Sequence, residues 1–379
     1  MRGNEARYLR ECIDTNWVSY VGPFVTRFEV AFADALSVPH AIAMNSGTAA
    51  LHLALLAAGV GPDDEVIVPD LTFIAPANAV RYCGGEPVFI DVTADHWYLD
   101  PEKVATFLSK ECEPFADGTR DRVTGKRVKA IIPVHLLGHP ADIDPILELA
   151  ARFRLEVIED ATESLGSLYK ERPPGTFGLA GCFSFNGNKI ITSGGGGMLT
   201  TSSDAVARRS RYLSTQARAD GVEYVHMDVG YNYRLTNLQA AVGLAQLEQL
   251  ASHVERKRSI AKRYDKGLGG LPGIRTPSEA TWAKSTFWLY TILVEPPAQR
   301  SSREVIAELA SSGIEARPLW APLHQQRPYR ESRTFGLGQS LAIYERAVSL
   351  PSSVDLTIED QDRVVAAVRQ SVVSARRTS

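Results

Sequence analysis

The chain has 379 residues, of which 41 are Lys or Arg and 44 are Asp or Glu, so its formal net charge is −3. That length is sufficient for a large domain with a smaller one, or for two domains of medium size. The balanced charge, without a basic block, argues against nucleic acid and anionic membranes as partners. No apolar run approaches the ~20 residues of a membrane-spanning helix.

The four cysteines are widely spaced, and they lack both a Cys-x-x-Cys pair and a neighbouring histidine cluster: Cys12, Cys83, Cys112 and Cys182. This spacing argues against a disulfide framework and against a zinc site, so no metal is expected. It fits the reducing environment of the cytoplasm. The opening residues contain no apolar signal core, so export is not expected.

The first part of the chain is predicted to contain a strand between helices. The elements are helices at residues 4–15 and Pro23–Leu36, a short apolar strand at Ala41–Met44, the turn Asn45-Ser46-Gly47-Thr48, and a helix at Ala49–Ala58. A strand, a polar turn with glycine and a helix present N–H groups and a positive helix end to a phosphate. Ser and Thr are also favoured as ordinary N-caps, so the segment alone fits either role.

Strands and helices then alternate, which predicts a mainly parallel sheet covered by helices. The predicted elements are strand Glu65–Pro69, helix Ile74–Tyr82, strand Pro87–Val92, helix Pro101–Ser109, strand Val128–Val134, helix Asp142–Phe153 and strand Leu155–Asp160. Residues 110–127 are polar and mixed in charge, so we expect a surface excursion there. Asp160 ends the last strand, where an acid either caps the next segment or contacts a ligand.

A single lysine lies between two further strands. One strand ends at Ser184, Lys189 follows, and four glycines precede the strand Met198–Thr201. Taken alone, a lysine between strands is an exposed loop residue. Four glycines, however, permit the backbone to lie against a flat ligand or another chain, and a desolvated lysine can form a Schiff base with a carbonyl compound.

The last part of the chain has a different rhythm. Helices are predicted at Ser202–Gln216, from the N-cap Thr236 to about Lys262, at Arg303–Ser311 and at Ile358–Val373, with strands at Phe287–Val294 and near Ile314–Arg317. This pattern predicts a large domain over residues 1–250 and a small α+β domain over 251–379. The final Arg376-Arg377-Thr378-Ser379 is expected to be frayed.

The segment Ser184-Phe-Asn-Gly-Asn-Lys189, with the glycine run after it, resembles the DegT/DnrJ/StrS family of nucleotide-sugar aminotransferases. The resemblance extends over nearly the whole chain, although many members have Gly-Glu-Gly-Gly where this chain has Gly194–Gly197. It implies an α/β fold of fold-type I, with a large, mainly parallel αβα sandwich. It also implies pyridoxal 5′-phosphate (PLP) as the cofactor, bound covalently by Lys189.

The same resemblance implies a role for each of several residues toward PLP. Gly47 and Thr48 would bind its phosphate together with Ser184, Phe73 would stack on its ring, Asp160 would pair with its ring nitrogen, and Asn186 would be a further contact. Glu163 stands where many members have glutamine, so it must be protonated to donate a hydrogen bond to the phenolate oxygen, or must act differently. Asn232, in Gly-Tyr-Asn-Tyr-Arg, would reach the partner subunit's phosphate in a homodimer, although Asn also suits a structural turn.

The resemblance further implies transfer of an amino group from L-glutamate to a nucleotide-linked 4-keto-6-deoxy sugar, with His324 and Trp17 as substrate contacts. The product would be a 4-amino sugar for surface glycans. Members that aminate C4 of UDP-N-acetyl sugars on the way to bacillosamine or legionaminic acid are most similar, and GDP-perosamine synthases are the alternative. An aromatic-amine synthase and a non-catalytic regulatory relic also remain, whereas the C3-dehydratase branch has histidine in place of Lys189.

Overall fold

The computed structural model describes residues 1–116, 118–219 and 222–373. The frayed end predicted at residues 376–379 lies outside them. In the described ranges, no helix is long and apolar enough to cross a membrane. Within the same ranges, no group of three or more His, Cys, Asp or Glu side chains is placed to hold a metal ion.

The strands are numbered along the chain as β1 (His40–Met44), β2 (Asp64–Pro69), β3 (Glu86–Ile90), β4 (Cys112–Phe115), β5 (Gly118–Asp121), β6 (Arg127–Ile131), β7 (Glu156–Asp160), β8 (Leu168–Tyr169), β9 (Ala180–Ser184), β10 (Gly197–Thr201), β11 (Ile274–Arg275), β12 (Ala283–Lys284), β13 (Tyr290–Val294), β14 (Thr334–Phe335) and β15 (Ala347–Leu350). The main sheet has the order β1-β10-β9-β7-β6-β2-β3-β14. Along this path every strand except β10 runs in the same direction. The predicted mainly parallel sheet is confirmed.

The helices are α1 (Glu5–Asp14), α2 (Pro23–Leu36), α3 (Gly47–Ala57), α4 (Ala75–Tyr82), α5 (Pro101–Lys110), α6 (Ile143–Phe153), α7 (Asp204–Ser214), α8 (Asn237–Leu247), α9 (Leu250–Leu268), α10 (Ser302–Ser311), α11 (Gln339–Arg346) and α12 (Ile358–Val373). Side chains of the sheet alternate between two cores. Val66 and Val68 of β2 pack in the core that contains residues of α3 and α4, whereas Ile67 packs with residues of α5 and α6. Helices therefore cover both faces, which confirms the αβα sandwich.

The strand register brings three chain segments to one edge of the sheet. Met44 at the end of β1 lies opposite Gly197, which in turn lies opposite Ser184 at the end of β9. Asp160 at the end of β7 lies beside Cys182. Since β1, β7 and β9 are parallel, their carboxyl ends meet at this edge, where parallel α/β sheets bind ligands.

A small antiparallel sheet of β11, β13 and β15 follows, in the order β11-β13-β15. Its core contains Tyr290 and Ile292 of β13, with apolar residues from α9, α10 and α12. The chain later returns to the main sheet, because β14 pairs with β3. The boundary at residues 250 and 251 stays a prediction.

Three predicted elements differ from the structure by more than a shift of their end residues. The long helix from Thr236 to Lys262 is two helices, because the Gln249 amide donates to the Gln246 carbonyl, one residue closer than an α-helix requires. Residues 314–317 form only one bridge, between Arg317 and Ser349, and Pro318 lacks the N–H that would extend pairing. The excursion at 110–127 contains the hairpin β4–β5, whose second strand joins β6.

Candidate active site

Lys189 lies in the loop between β9 and β10, and its side chain is only 12% exposed. Its Nζ is 3.8 Å from Oε1 of Glu163 and 4.0 Å from the centroid of the Trp288 ring. Burial lowers the pKa of the Lys189 amine, and the negative charges of Glu163 and Asp160 partly oppose that change. The amine is therefore more easily deprotonated than that of a surface lysine.

Glu163 is buried beside this amine. Its Oε2 accepts a hydrogen bond of 2.8 Å from the backbone N–H of Leu137, a residue with φ of 56°. Burial raises the pKa of Glu163 to about 7, against the opposing effects of Lys189 and the Leu137 N–H. Near neutral pH this carboxyl can hold a proton, as the predicted hydrogen-bond donor requires.

Asp160 is also buried, at the carboxyl end of β7. Its Oδ1 accepts a hydrogen bond of 3.0 Å from the backbone N–H of Thr162, so it makes the local capping contact that its position alone suggested. Burial raises the pKa of Asp160, while the hydrogen bonds from Thr162 and the positive charge of Lys189 act in the opposite direction. A cation beside this carboxylate would be strongly favoured.

A second buried pair lies behind Asp160, and sequence reasoning missed it. Nδ1 of His135 accepts from the Ala141 N–H at 3.0 Å, so the proton of a neutral ring is on Nε2, which faces Oε2 of Glu159 at 3.0 Å. Glu159 also accepts from the N–H groups of residues 175, 177 and 178. The sequence signal that could have indicated this pair is the presence of two consecutive acids, Glu159 and Asp160, at the end of an apolar strand.

The N-terminus of α3 lies next to these groups. Ser46 is its N-cap, and its hydroxyl accepts from the Ala49 N–H at 3.0 Å. A Cβ added to Gly47 would lie 3.0 Å from Cβ of Ser184 and 3.1 Å from Cγ2 of Thr162. Gly47 therefore allows the helix end to approach the strand ends closely, and the first turn offers N–H groups that have no acceptor within the helix.

His324 is held by an acid that sequence reasoning also missed. Its Nδ1 is 2.7 Å from Oδ2 of Asp70, and its backbone N–H donates to Oδ1 of the same carboxylate at 2.9 Å. Asp70 is fully buried and directly follows β2. Its position at the end of a predicted strand was the sequence signal that could have identified it. The half-exposed Phe73 meets the Trp320 ring edge to face at 6.1 Å.

Three of the expected residues stand apart from the buried cluster. The Asn186 side chain is exposed, and its backbone N–H donates weakly to the Ser184 hydroxyl at 3.4 Å. The exposed Asn232 accepts from the Asn45 side chain through its carbonyl. Trp17 is 48% exposed, and within the described ranges no hydrogen bond or ring contact joins its side chain to the cluster.

Two tryptophans that line a cavity together with Lys189 come from the second half of the chain. Trp288 stacks on Trp320, with ring centroids 6.4 Å apart and an interplanar angle of 15°. With Lys189 they line a cavity of about 780 Å³. Neither tryptophan was predicted from the sequence to have a role in the site. Trp288 lay inside a predicted apolar strand, where an aromatic residue is expected to be part of the core.

The sequence profile of the DegT/DnrJ/EryC1/StrS aminotransferase family matches residues 1–369. The chain belongs to this family. This aminotransferase therefore depends on PLP, as the family does.

Curated relatives match the DegT-family chain over almost its full length. It is 43% identical to a GDP-perosamine synthase of Caulobacter vibrioides, with 98% of this chain and 96% of that protein covered. The putative pyridoxal phosphate-dependent aminotransferase EpsN of Bacillus subtilis is 40% identical, with 96% and 92% covered. A GDP-perosamine synthase of Escherichia coli O157:H7 is 39% identical, with 95% and 93% covered.

A solved structure agrees with the fold of the DegT-family chain. It is a DegT/DnrJ/EryC1/StrS aminotransferase from Brucella abortus, which superposes with a TM-score of 0.89 at 30% identity. The superposition covers 98% of this chain and 96% of that one. The fold-type I architecture expected from the sequence is confirmed.

Proposed function

We propose that this aminotransferase transfers the amino group of L-glutamate to C4 of a GDP-linked 4-keto-6-deoxy sugar. The supporting observation is that curated GDP-perosamine synthases are 43% and 39% identical to it over at least 95% of its length. The resemblance that favoured a UDP-N-acetyl sugar depends on the short segment Ser184–Lys189 and on one acid, Glu163. Similarity along the whole chain has more weight, so the GDP-linked substrate replaces that first preference.

The buried cluster fits PLP group by group. A buried amine with a lowered pKa suits an aldehyde, and the helix end at Gly47 and Thr48, with the Ser184 hydroxyl, suits a phosphate. Asp160 suits a protonated ring nitrogen, whose charge would offset the burial of the carboxylate. When bound, PLP supplies an electron sink for the carbon that loses its proton.

The protein's own groups would then manage charge and protons. Lys189 would carry a proton between the substrate carbon and the cofactor, since burial lowers the pKa of its amine and so favours its neutral form. Glu163 donates a hydrogen bond in its protonated form. His324, oriented by Asp70, presents Nε2 as an acceptor for a hydroxyl group of the sugar.

The test is a transamination assay with L-glutamate against GDP-, UDP- and dTDP-linked 4-keto sugars, with 2-oxoglutarate release as the readout and NMR of the product to locate the new amine. We expect the GDP-linked substrate to have the highest kcat/KM and the amine to be at C4. Faster turnover of a UDP-N-acetyl sugar would return the assignment to the first preference. Lys189→Ala is the control, and it should lower activity by at least about 10³-fold.

A further inference from the structure

Trp288 makes two separate contacts with the lysine loop. Its ring face lies 4.0 Å from Nζ of Lys189, and its Nε1–H donates a hydrogen bond of 2.7 Å to the carbonyl of Asn188, the preceding residue. The side chain is 2% exposed. One side chain therefore fixes the backbone beside the lysine and also covers the amine.

Several groups contact the backbone and the ring of Trp288. Nζ of Lys257 donates to the Trp288 carbonyl at 2.7 Å, and to the carbonyl of Ser352 at 2.5 Å. The Trp320 ring lies nearly parallel to the indole, with the ring centroids 6.4 Å apart. The preceding Phe287 has φ of 50°, so the chain bends immediately before β13. Trp288 is thus held by α9, by the segment after β15 and by its own backbone.

The charge around Lys189 explains what an aromatic face contributes. The nearest carboxylate oxygen, on Glu163, is 3.8 Å away, which is beyond hydrogen-bond distance. Asp160 is the other acid that acts on the amine. A π-face attracts an ammonium group without being able to accept its proton, and this attraction is strongest when water is excluded. It can therefore stabilise the charged amine without competing for the proton.

We propose that Trp288 is a positioning residue for Lys189, whose indole face holds the protonated amine beside Glu163 while its ring N–H fixes the Asn188 carbonyl. The inference rests on the proposed role of Lys189 but not on the identity of the sugar. It predicts that the aromatic face, rather than the volume of the side chain, favours the charged form of the amine.

The experiment measures the pH midpoint for reaction of Lys189 in the full-length, cofactor-free protein. Reductive methylation with formaldehyde and cyanoborohydride is followed between pH 6 and 10, and the Lys189 peptide is quantified by mass spectrometry. Trp288→Leu removes the aromatic face, and Trp288→Phe keeps a smaller one without the N–H. Trp282→Leu is the matched control, because that indole packs on His139 and Tyr169 instead.

We expect Trp288→Leu to lower the midpoint by about half to one pH unit, which corresponds to about 3- to 10-fold faster methylation below it. Trp288→Phe should lower it less, and Trp282→Leu should leave it unchanged. Four titratable residues that face the amine or line its cavity are kept in every variant: Glu163, Asp160, His253 and Lys257. Only the pH midpoint is compared between variants. A smaller side chain at position 288 also gives the reagents easier access to Lys189, and that would change the methylation rate at every pH.

An unchanged or raised midpoint in Trp288→Leu would overturn the proposal, and so would an equal shift in Trp282→Leu. Should Trp288→Leu fail to fold, a Trp288→Phe midpoint that does not fall at all would overturn it instead. Borohydride reduction of the PLP-loaded wild type, followed by peptide mapping, tests the role of Lys189 separately. Cofactor on a different lysine would contradict that role, whatever the methylation midpoints are.

Discussion

Glu163 has the environment of a carboxyl group that exchanges its proton near neutral pH. It combines burial with one N–H donor and one long ion pair, whereas a glutamine at this position would supply a permanent hydrogen-bond donor. Burial raises the pKa of Glu163 from 4.5 to about 7. This chain therefore has a pH-dependent donor in place of a fixed one, and the consequence is measurable in its stability.

Glu163→Gln should change how the stability of the cofactor-free protein depends on pH. The folded protein binds the Glu163 proton more tightly than the unfolded chain, so this group's contribution is fully present below pH 4.5 and is lost as pH rises through about 7. Between pH 5 and 8 the free energy of unfolding of the wild type should fall relative to that of the variant by about 1–3 kcal/mol. Urea denaturation at several pH values measures the difference. A constant difference across this range would contradict the environment assigned to Glu163.

At the scale of elements, the segment that carries Asn232 is joined to α2 and β1 by a buried ion pair. Nη1 of Arg234 donates to Oε1 of Glu29 at 2.8 Å and to the Ala43 carbonyl at 3.0 Å, and both charged side chains are 8% exposed. Glu29 also accepts from the Ala43 N–H and from Arg211. The pair thereby holds the end of β1, just before α3, against the Asn232 segment.

Arg234→Met should lower the free energy of unfolding by about 3 kcal/mol, because it leaves a buried carboxylate with only the half-exposed Arg211 as a charged partner. The double variant with Glu29→Gln should recover part of this loss, since the uncompensated charge is gone. Arg209→Met breaks the exposed pair with Asp228 and should cost less than about 1 kcal/mol. Equal losses for the Arg234 and Arg209 variants in urea denaturation would refute the buried role.

Elements that depend on local patterning could be predicted, and those that depend on distant contacts could not. The helix Pro23–Leu36 and the strand ending at Ser184 match the prediction, since proline at a helix start and apolar runs act within a few residues. The break at Gln249 could not be predicted, because no glycine or proline marks it. Trp288 was assigned to a strand that in fact begins at Tyr290, because apolar patterning does not reveal the positive φ of Phe287.

The same distinction applies to the candidate site. Lys189, Glu163, Asp160, Gly47 and Ser184 were identified from motifs, and the sheet register brings them together. The neighbouring groups His135 and Trp288 were missed, and so was Asp70 beside His324, because these contacts join segments that are distant in sequence. A resemblance to a family predicts which groups react, whereas the packing that adjusts their pKa values is visible only in three dimensions.

At the scale of the whole molecule, the region before Asn232 exposes several large apolar side chains. Tyr224, Met227 and Val229 are 69%, 75% and 84% exposed, and an apolar surface of this kind is commonly covered by a partner. The Asn232 carbonyl nevertheless accepts from Asn45 of its own chain, directly before the N-cap of α3. The residue could therefore serve the site of its own chain or that of a partner, and hybrid dimers distinguish the two.

Mixing Lys189→Ala with Asn232→Ala should restore activity if the sites are shared. In a hybrid, the chain that keeps Lys189 receives Asn232 from the other chain, so one of its two sites is complete. Random pairing makes half of the dimers hybrids, which gives about a quarter of the wild-type sites. If each chain uses its own Asn232, no hybrid contains a complete site, and the mixture should show only the mean of the two variants.

The reciprocal mixture, wild type with the double variant, is the control. With shared sites its hybrids are inactive, because the chain that keeps Lys189 lacks the partner's Asn232, so activity should fall to about a quarter of that of an all-wild-type sample. With unshared sites it should fall only to about half. Transamination rates of the two mixtures therefore move in opposite directions under the two arrangements, and a loss of stability in either variant cannot reproduce both results.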